Sequence, residues 1–164
     1  MFFKRVGQKS WLDVFPLEKY VYTSSTGNEH RTIFVDVGGG YGHQSKEVIR
    51  RLPWLQVRVV LQDTHAAAID SAKGIEGLEV VYHDFTKAQP VKGARVYYLR
   101  NILHNWPDQA CLSILSQLKD ALAPDSVILL DELILGDEST HWYGASFDLL
   151  MMANYRARER SLAE

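Results

Sequence analysis

Four glycines fall within five residues in Asp36-Val37-Gly38-Gly39-Gly40-Tyr41-Gly42, directly behind the apolar, β-branched run Thr32–Val37. Glycine lets a backbone turn sharply and approach a ligand closely. A run ending in four glycines therefore reads as a buried strand, a tight turn and the start of a helix. A plain turn does not need so many glycines, so the loop points to a ligand held close to the backbone.

The rest of the chain repeats the strand–helix alternation. Strands are expected at Thr32–Val37, Gln56–Gln62, Leu78–His83, Ala94–Leu99 and Ser126–Glu132. Helices are expected at Tyr41–Arg51, stopping before Pro53, and at Ala66–Lys73, capped by Thr64. A third starts at Pro107, behind the turn Asn105-Trp106, with Leu112, Leu115, Leu118 and Leu122 on one face. The last, Trp142–Arg156, carries a stripe of Phe147, Leu150, Met151 and Tyr155 that reads as core. Such alternation implies βαβ units and a parallel sheet covered on both faces. The expected fold is thus α/β, a Rossmann-like doubly wound sheet of about five mostly parallel strands. Residues 1–31, bounded by Pro16 and the polar Thr23–Arg31 stretch, read as a helical lead-in packed through Trp11, Val14, Phe15, Leu17 and Tyr20. Residues 32–164 are the ligand-binding domain.

Composition narrows the partners. The chain has 164 residues, 46% of them hydrophobic, and a net charge of -2. A net negative chain lacks the electrostatic footprint for nucleic acid or anionic lipid. The basic cluster Arg156, Arg158 and Arg160 reads as a solvated helix face. The single cysteine, Cys111, falls among helical apolar positions and reads as core. No Cys/His set has zinc spacing, so no metal is expected. Met1-Phe2-Phe3-Lys4-Arg5 lacks a signal peptide's apolar stretch, which makes the cytoplasm the expected location.

The loop's chemistry separates two ligands. A dinucleotide fingerprint needs its third glycine three residues after the second, whereas here the spacing is Gly38-x-Gly40-x-Gly42. Asp36 would repel a pyrophosphate but attract the ammonium of an amino acid. S-adenosylmethionine (SAM) has that ammonium and no phosphate. Asp63, at the end of the second strand, is placed for ribose hydroxyls, a role common to both ligands.

Asp36–Gly42 resembles motif I of the class I SAM methyltransferases. His83-Asp84-Phe85, Tyr98–Trp106, Glu132 and Glu159-Arg160-Ser161 together resemble the plant and fungal small-molecule O-methyltransferases. Gln89-Pro90-Val91-Lys92-Gly93-Ala94-Arg95 resembles their fungal secondary-metabolism branch. The resemblance implies that Gly38 and Gly40 line the cofactor's amino-acid end and that Asp63 holds its ribose. Asp84 and Phe85 would flank the adenine, Trp106 would pack near it, and Arg100 would be a basic cofactor contact. S-adenosyl-L-homocysteine (SAH) would be the product.

By the same resemblance His104 is the general base on the acceptor hydroxyl, with Glu132 and Glu159 as its carboxylate partners. A phenol has a pKa of about 10 and imidazole about 6.5, so full proton transfer before methylation would be uphill by about 5 kcal/mol. Coupling the transfer to attack on the methyl avoids a free phenolate. A carboxylate on the far ring nitrogen fixes the tautomer and stabilises the imidazolium.

Three departures from the family pattern shape further expectations. Asn105 stands where the family usually has Asp. The usual N-terminal dimerisation region is represented at most by residues 1–31. The chain stops at Glu164, where the family continues through a helix and two more strands. The fifth strand is therefore expected at an open edge, covered by a second copy or a partner chain. Two other functions stay open: a non-methylating cyclase or isomerase on the same fold, or an inactive SAM-binding module completed by another chain.

Overall fold

Thr32–Val37 forms β1, and all six of its side chains are buried, as expected for a mostly apolar strand inside a parallel sheet. The computed structural model describes residues 10–22, 31–53, 58–136 and 140–163. Four further strands lie parallel to β1: β2 (Arg58–Asp63), β3 (Leu78–Tyr82), β4 (Val96–Arg100) and β5 (Val127–Asp131). The strand order is β3-β2-β1-β4-β5. Order reverses between β1 and β4, and open α/β sheets keep their ligand crevice at the carboxyl side of that point.

The two faces of the sheet bury separate clusters. On one, Val35 and Val37 of β1 and Tyr97 and Leu99 of β4 pack against Cys111, Ile114 and Leu118. These last three belong to α4 (Asp108–Lys119), whose N-cap is Pro107. On the other face, Phe34 and Tyr98 pack against Val48 of α2 (His43–Arg51) and Leu17 of α1 (Leu17–Tyr22). Helices thus cover both faces, as the alternation predicts. Within the lead-in a 3-10 turn at Trp11–Asp13 puts the Trp11 ring against Phe34 (5.5 Å) and Tyr98 (4.7 Å).

Several details differ from expectation. The helix α3 (Ala66–Ala72) is capped by His65, not Thr64; its ring accepts the Ala68 N–H at 3.3 Å, three residues on. On α4 the buried residues are Cys111, Ile114 and Leu118, with Leu115 partly buried against the same core. Of the expected leucine face, Leu112 is exposed, and Leu122 lies past the helix end and is exposed too. The helix α5 (Trp142–Tyr155) buries Met151 but leaves Leu150 and Tyr155 of the expected core stripe exposed, together with Trp142, Leu149 and Met152.

A second, two-stranded parallel sheet pairs β6 (Ile134–Leu135) with β7 (Arg160–Ser161). Residues 1–9 and 23–30 of the lead-in, and Gln56 and Val57 of the expected second strand, lie outside the described residues. Among the described residues no helix is long and apolar enough to cross a membrane.

Candidate active site

Every strand of the main sheet delivers one part of the site at its carboxyl end. The glycine loop leaves β1 and is packed tightly from below. A Cβ on Gly39 would stand 2.4 Å from the Asp36 carboxyl carbon and from Leu61, and one on Gly38 would stand 2.6 Å from Ile102. Above Gly40 the situation reverses, for a Cβ there would meet nothing within 4 Å. The loop is closed against the core and open on its outer side.

Asp36 lies beneath this loop rather than in the open crevice, with 1% of its surface exposed. One carboxylate oxygen accepts the Ser45 hydroxyl at 2.7 Å and the Ser45 N–H at 3.2 Å. Burial nevertheless pushes its carboxyl up to about 6. Asp63, at the end of β2, accepts the Gly40 N–H on one oxygen and the His65 N–H on the other, both at 2.8 Å. It therefore ties the second strand to the loop.

Past β3, Asp84 accepts the Thr86 N–H and hydroxyl at 2.9 and 2.7 Å, which orders the turn that presents Phe85. Those hydrogen bonds hold the Asp84 carboxyl below its usual range. The Phe85 ring lies against Gly38 and meets Trp106 edge-on, with centroids 5.9 Å apart. Arg100, the last residue of β4, pairs with Asp131 on β5 at 3.5 Å, and Asp131 also accepts the Tyr98 hydroxyl.

His104 sits in a 3-10 turn, Leu103–Asn105, just beyond β4. Its Nδ1 is 2.9 Å from Glu159 Oε1, which leaves Nε2 as the ring atom for an incoming group. The Glu159 side chain is 1% exposed and that of His104 12%, so the pair is largely removed from solvent. Glu132 reaches the same turn through that turn's backbone. One of its oxygens accepts the N–H groups of Ile102 and Leu103, both at 2.9 Å, and so grips the backbone of the histidine's turn. Burial raises the Glu132 carboxyl. Atoms of His104, Glu132 and Glu159 lie within 4.8 Å of one another, and Oε2 of each glutamate is buried without a hydrogen-bond partner among the described residues.

The structure thus gathers the expected residues into two adjoining groups, a loop-centred one from Asp36 to Trp106 and a histidine-centred one. It also adds residues that the sequence did not single out. Ser45 holds Asp36, and Asp148 of α5 accepts the Glu159 N–H at 3.0 Å. Gln62 and Gln89, both buried, exchange amide hydrogen bonds at 2.7 and 2.9 Å beneath the crevice. A buried glutamine at the end of a valine-rich strand was the available signal for the last pair. Arg160 is no part of a solvated helix face; it lies on β7 and bonds Asp108 at 2.7 Å.

The arrangement resembles known proteins in sequence and in shape. Residues 18–164 match the model of the O-methyltransferase domain. The demethylsterigmatocystin 6-O-methyltransferase stcP of Emericella nidulans is 42% identical over 154 residues, which cover 94% of this chain and 74% of that one. The demethylsterigmatocystin 6-O-methyltransferase of Aspergillus flavus is 37% identical over 155 residues, 94% of this chain and 39% of its own length. Among solved structures, the LepI complex with SAM superposes with a TM-score of 0.87 at 31% identity, covering 98% of this chain and 41% of that one. A pericyclic reaction enzyme gives 0.86 at 31% identity over 98% of this chain and 42% of that one. The complex of OxaC with SAH and oxaline gives 0.83 at 28% identity over 95% and 40%. The chain therefore spans about two fifths of the length of most of these relatives. On both grounds the chain belongs to the O-methyltransferase domain family.

Proposed function

We propose that this protein methylates a hydroxyl of a small aromatic or polyketide-type metabolite in the cytoplasm, using SAM as donor and His104 as general base. The observation that carries the reading is the His104–Glu159 contact. A carboxylate on Nδ1 fixes the proton there and leaves Nε2 as an acceptor, the tautomer a general base needs.

The donor's place fits the loop. Open space above Gly40, the Asp63 carboxylate beside it and the Phe85–Trp106 pair form a cradle for an amino-acid end, a ribose and an adenine in turn. In this reading Gly38 and Gly40 offer backbone to the amino-acid end, and Asp63 accepts from the ribose diol. Asp84 and Phe85 border the base, and Arg100 adds a nearby cation. Asp36 contributes negative charge from beneath the loop while Ser45 holds it. When bound, SAM supplies an electrophilic methyl on a sulfonium.

His104 Nε2 accepts the proton of the acceptor hydroxyl as that oxygen attacks. The resulting imidazolium is stabilised by Glu159 at 2.9 Å and by the Glu132 carboxylate nearby. Glu132 also keeps the turn in place through Ile102 and Leu103. The test is incubation with labelled SAM and a panel of phenols. Methyl transfer is expected, and His104→Ala should lower it by about 10²-fold or more. Equal rates for the two proteins would remove His104 from the mechanism.

A second reading is favoured by the likeness to a pericyclic reaction enzyme. Here His104 and Arg100 would polarise a carbonyl in a rearrangement or cyclisation. Turnover that persists after SAM is removed, with no gain of methyl mass, would select this reading over the first. In either case the open edge at β5 and the apolar side of α5 are expected to be covered by a second copy of the chain.

A further inference from the structure

The short turn that carries His104 is gripped from two sides. Glu132 takes its amides, Ile102 and Leu103, at 2.9 Å each. Arg160 takes its carbonyls: Nη1 donates to Leu103 O at 3.1 Å and Nη2 donates to Trp106 O at 3.0 Å. Those two carbonyls bracket the histidine in sequence. Asp108, the first residue of α4, fixes the guanidinium by accepting Nη2 at 2.7 Å and Nε at 3.2 Å. The Cys111 thiol lies on the same two carbonyls, at 3.3 and 3.4 Å.

A planar guanidinium with five donors can span two carbonyls and a carboxylate at once; a lysine ammonium on a flexible stem cannot hold that geometry. Arg160 also follows Glu159 directly on the chain. One short segment therefore delivers both the carboxylate on the His104 ring and the clasp on its backbone.

We propose that Arg160 is a positioning residue that holds the His104 turn in register with Glu159, with Asp108 setting the guanidinium. The catalytic consequence rests on His104 being the base; the clasp itself does not. Loss of the clasp leaves Glu132 on the amide side and only the weakly donating Cys111 thiol on the carbonyl side. The turn then opens more often, and the ring loses its fixed tautomer. Misplacement of a base by about 1 Å can lower a rate by about 10²-fold.

The experiment compares the parent chain with Arg160→Ala, Arg160→Lys and Arg158→Ala. Arg158 also pairs with Asp108, at 2.9 Å, so its variant controls for loss of an ion pair on that carboxylate. Two measurements do not depend on activity: amide exchange at Ile102, Leu103, Asn105 and Trp106, and nitrogen shifts of the His104 ring. In Arg160→Ala exchange at those amides should speed up by about tenfold or more while β1 stays protected. The ring shifts should move from one tautomer toward a mixture. Arg160→Lys should fall between, and Arg158→Ala should match the parent.

In methyl transfer, Arg160→Ala should lose roughly 10- to 100-fold in kcat with SAM affinity within about twofold. Parental exchange and ring shifts in Arg160→Ala would overturn the proposal. If that variant does not fold, Arg160→Lys decides on the same two measurements, and parental values there would overturn it as well. Altered exchange and ring shifts with no methyl product from any of the proteins would keep the clasp and remove the methyl-transfer reading.

Discussion

At the scale of single residues, the two aspartates of the cradle behave differently. Asp36 is buried with its carboxyl near 6, above the ordinary 3.8. Between those values the folded protein holds a proton that the unfolded chain has released. This group's contribution to stability is therefore greatest below about pH 4 and declines as pH rises toward 6 and beyond. Asp36→Asn keeps an acceptor for Ser45 and removes the buried charge. We expect it to stabilise the fold by about 1–3 kcal/mol at pH 7.5 and by little at pH 4. Glu47 and Asp125, held near 2 by arginines, shift acid stability equally in both proteins, so the difference curve isolates Asp36. A gain of the same size at both pH values would mean that burying the charge is not its source. Asp63→Ala should weaken SAM roughly 10- to 150-fold, since charged hydrogen bonds contribute about 1.5–3 kcal/mol. The Asp63 bonds to Gly40 and His65 also hold the loop on β2, and we predict a loss of about 1–3 kcal/mol of stability without ligand. Calorimetry and thermal melts separate the two effects; SAM affinity within twofold of the parent would take Asp63 out of the ribose site. Residue types at strand ends could be read in advance because each follows a recognisable apolar run. Partners such as Ser45 and Asp148 could not, since they lie nine and eleven residues from the groups they bond.

At the scale of elements, the strands were the most legible part. β1 matches its expected bounds, because a β-branched-rich run ending in four closely spaced glycines marks both ends of the strand. β6 and β7 escaped notice since two-residue strands have no periodicity to detect. The chain reaches β7 only after Arg156 takes a left-handed conformation, φ 55°, where a glycine would have marked the turn. The lead-in also turns out to be part of the core. Trp11 stacks beneath Phe34 and Tyr98 and donates its indole N–H to Gln44 at 2.9 Å. Trp11→Ala should cost about 2–4 kcal/mol, toward the low end for tryptophan because the ring is only partly enclosed. In a chain of this size that lowers Tm by roughly 5–15 °C. A melt unchanged by the substitution would make the lead-in a surface appendage.

At the scale of the whole molecule, apolar surface is distributed unevenly. Trp11, Leu12 and Phe15 of the lead-in pack against the same cluster as Val127 and Leu129 of β5. By contrast α5 keeps Trp142 at 68%, Leu149 at 59% and Met152 at 57% exposure. Burying one such side chain contributes about 1.5–3 kcal/mol. We therefore expect self-association through α5. Sedimentation should show dimers or larger species in the micromolar range, and Leu149→Lys with Met152→Lys should return the chain to monomer. A parent that stays monomeric at those concentrations would show that α5 tolerates its exposure. The order of the site along the chain has a consequence of its own. The residues proposed to hold the donor run from Asp36 through Trp106, but the ring partner of His104 lies 55 residues further on. Synthesis therefore completes all of them before Glu159 and Arg160 exist, and until those two emerge the histidine has neither its ring carboxylate nor its clasp.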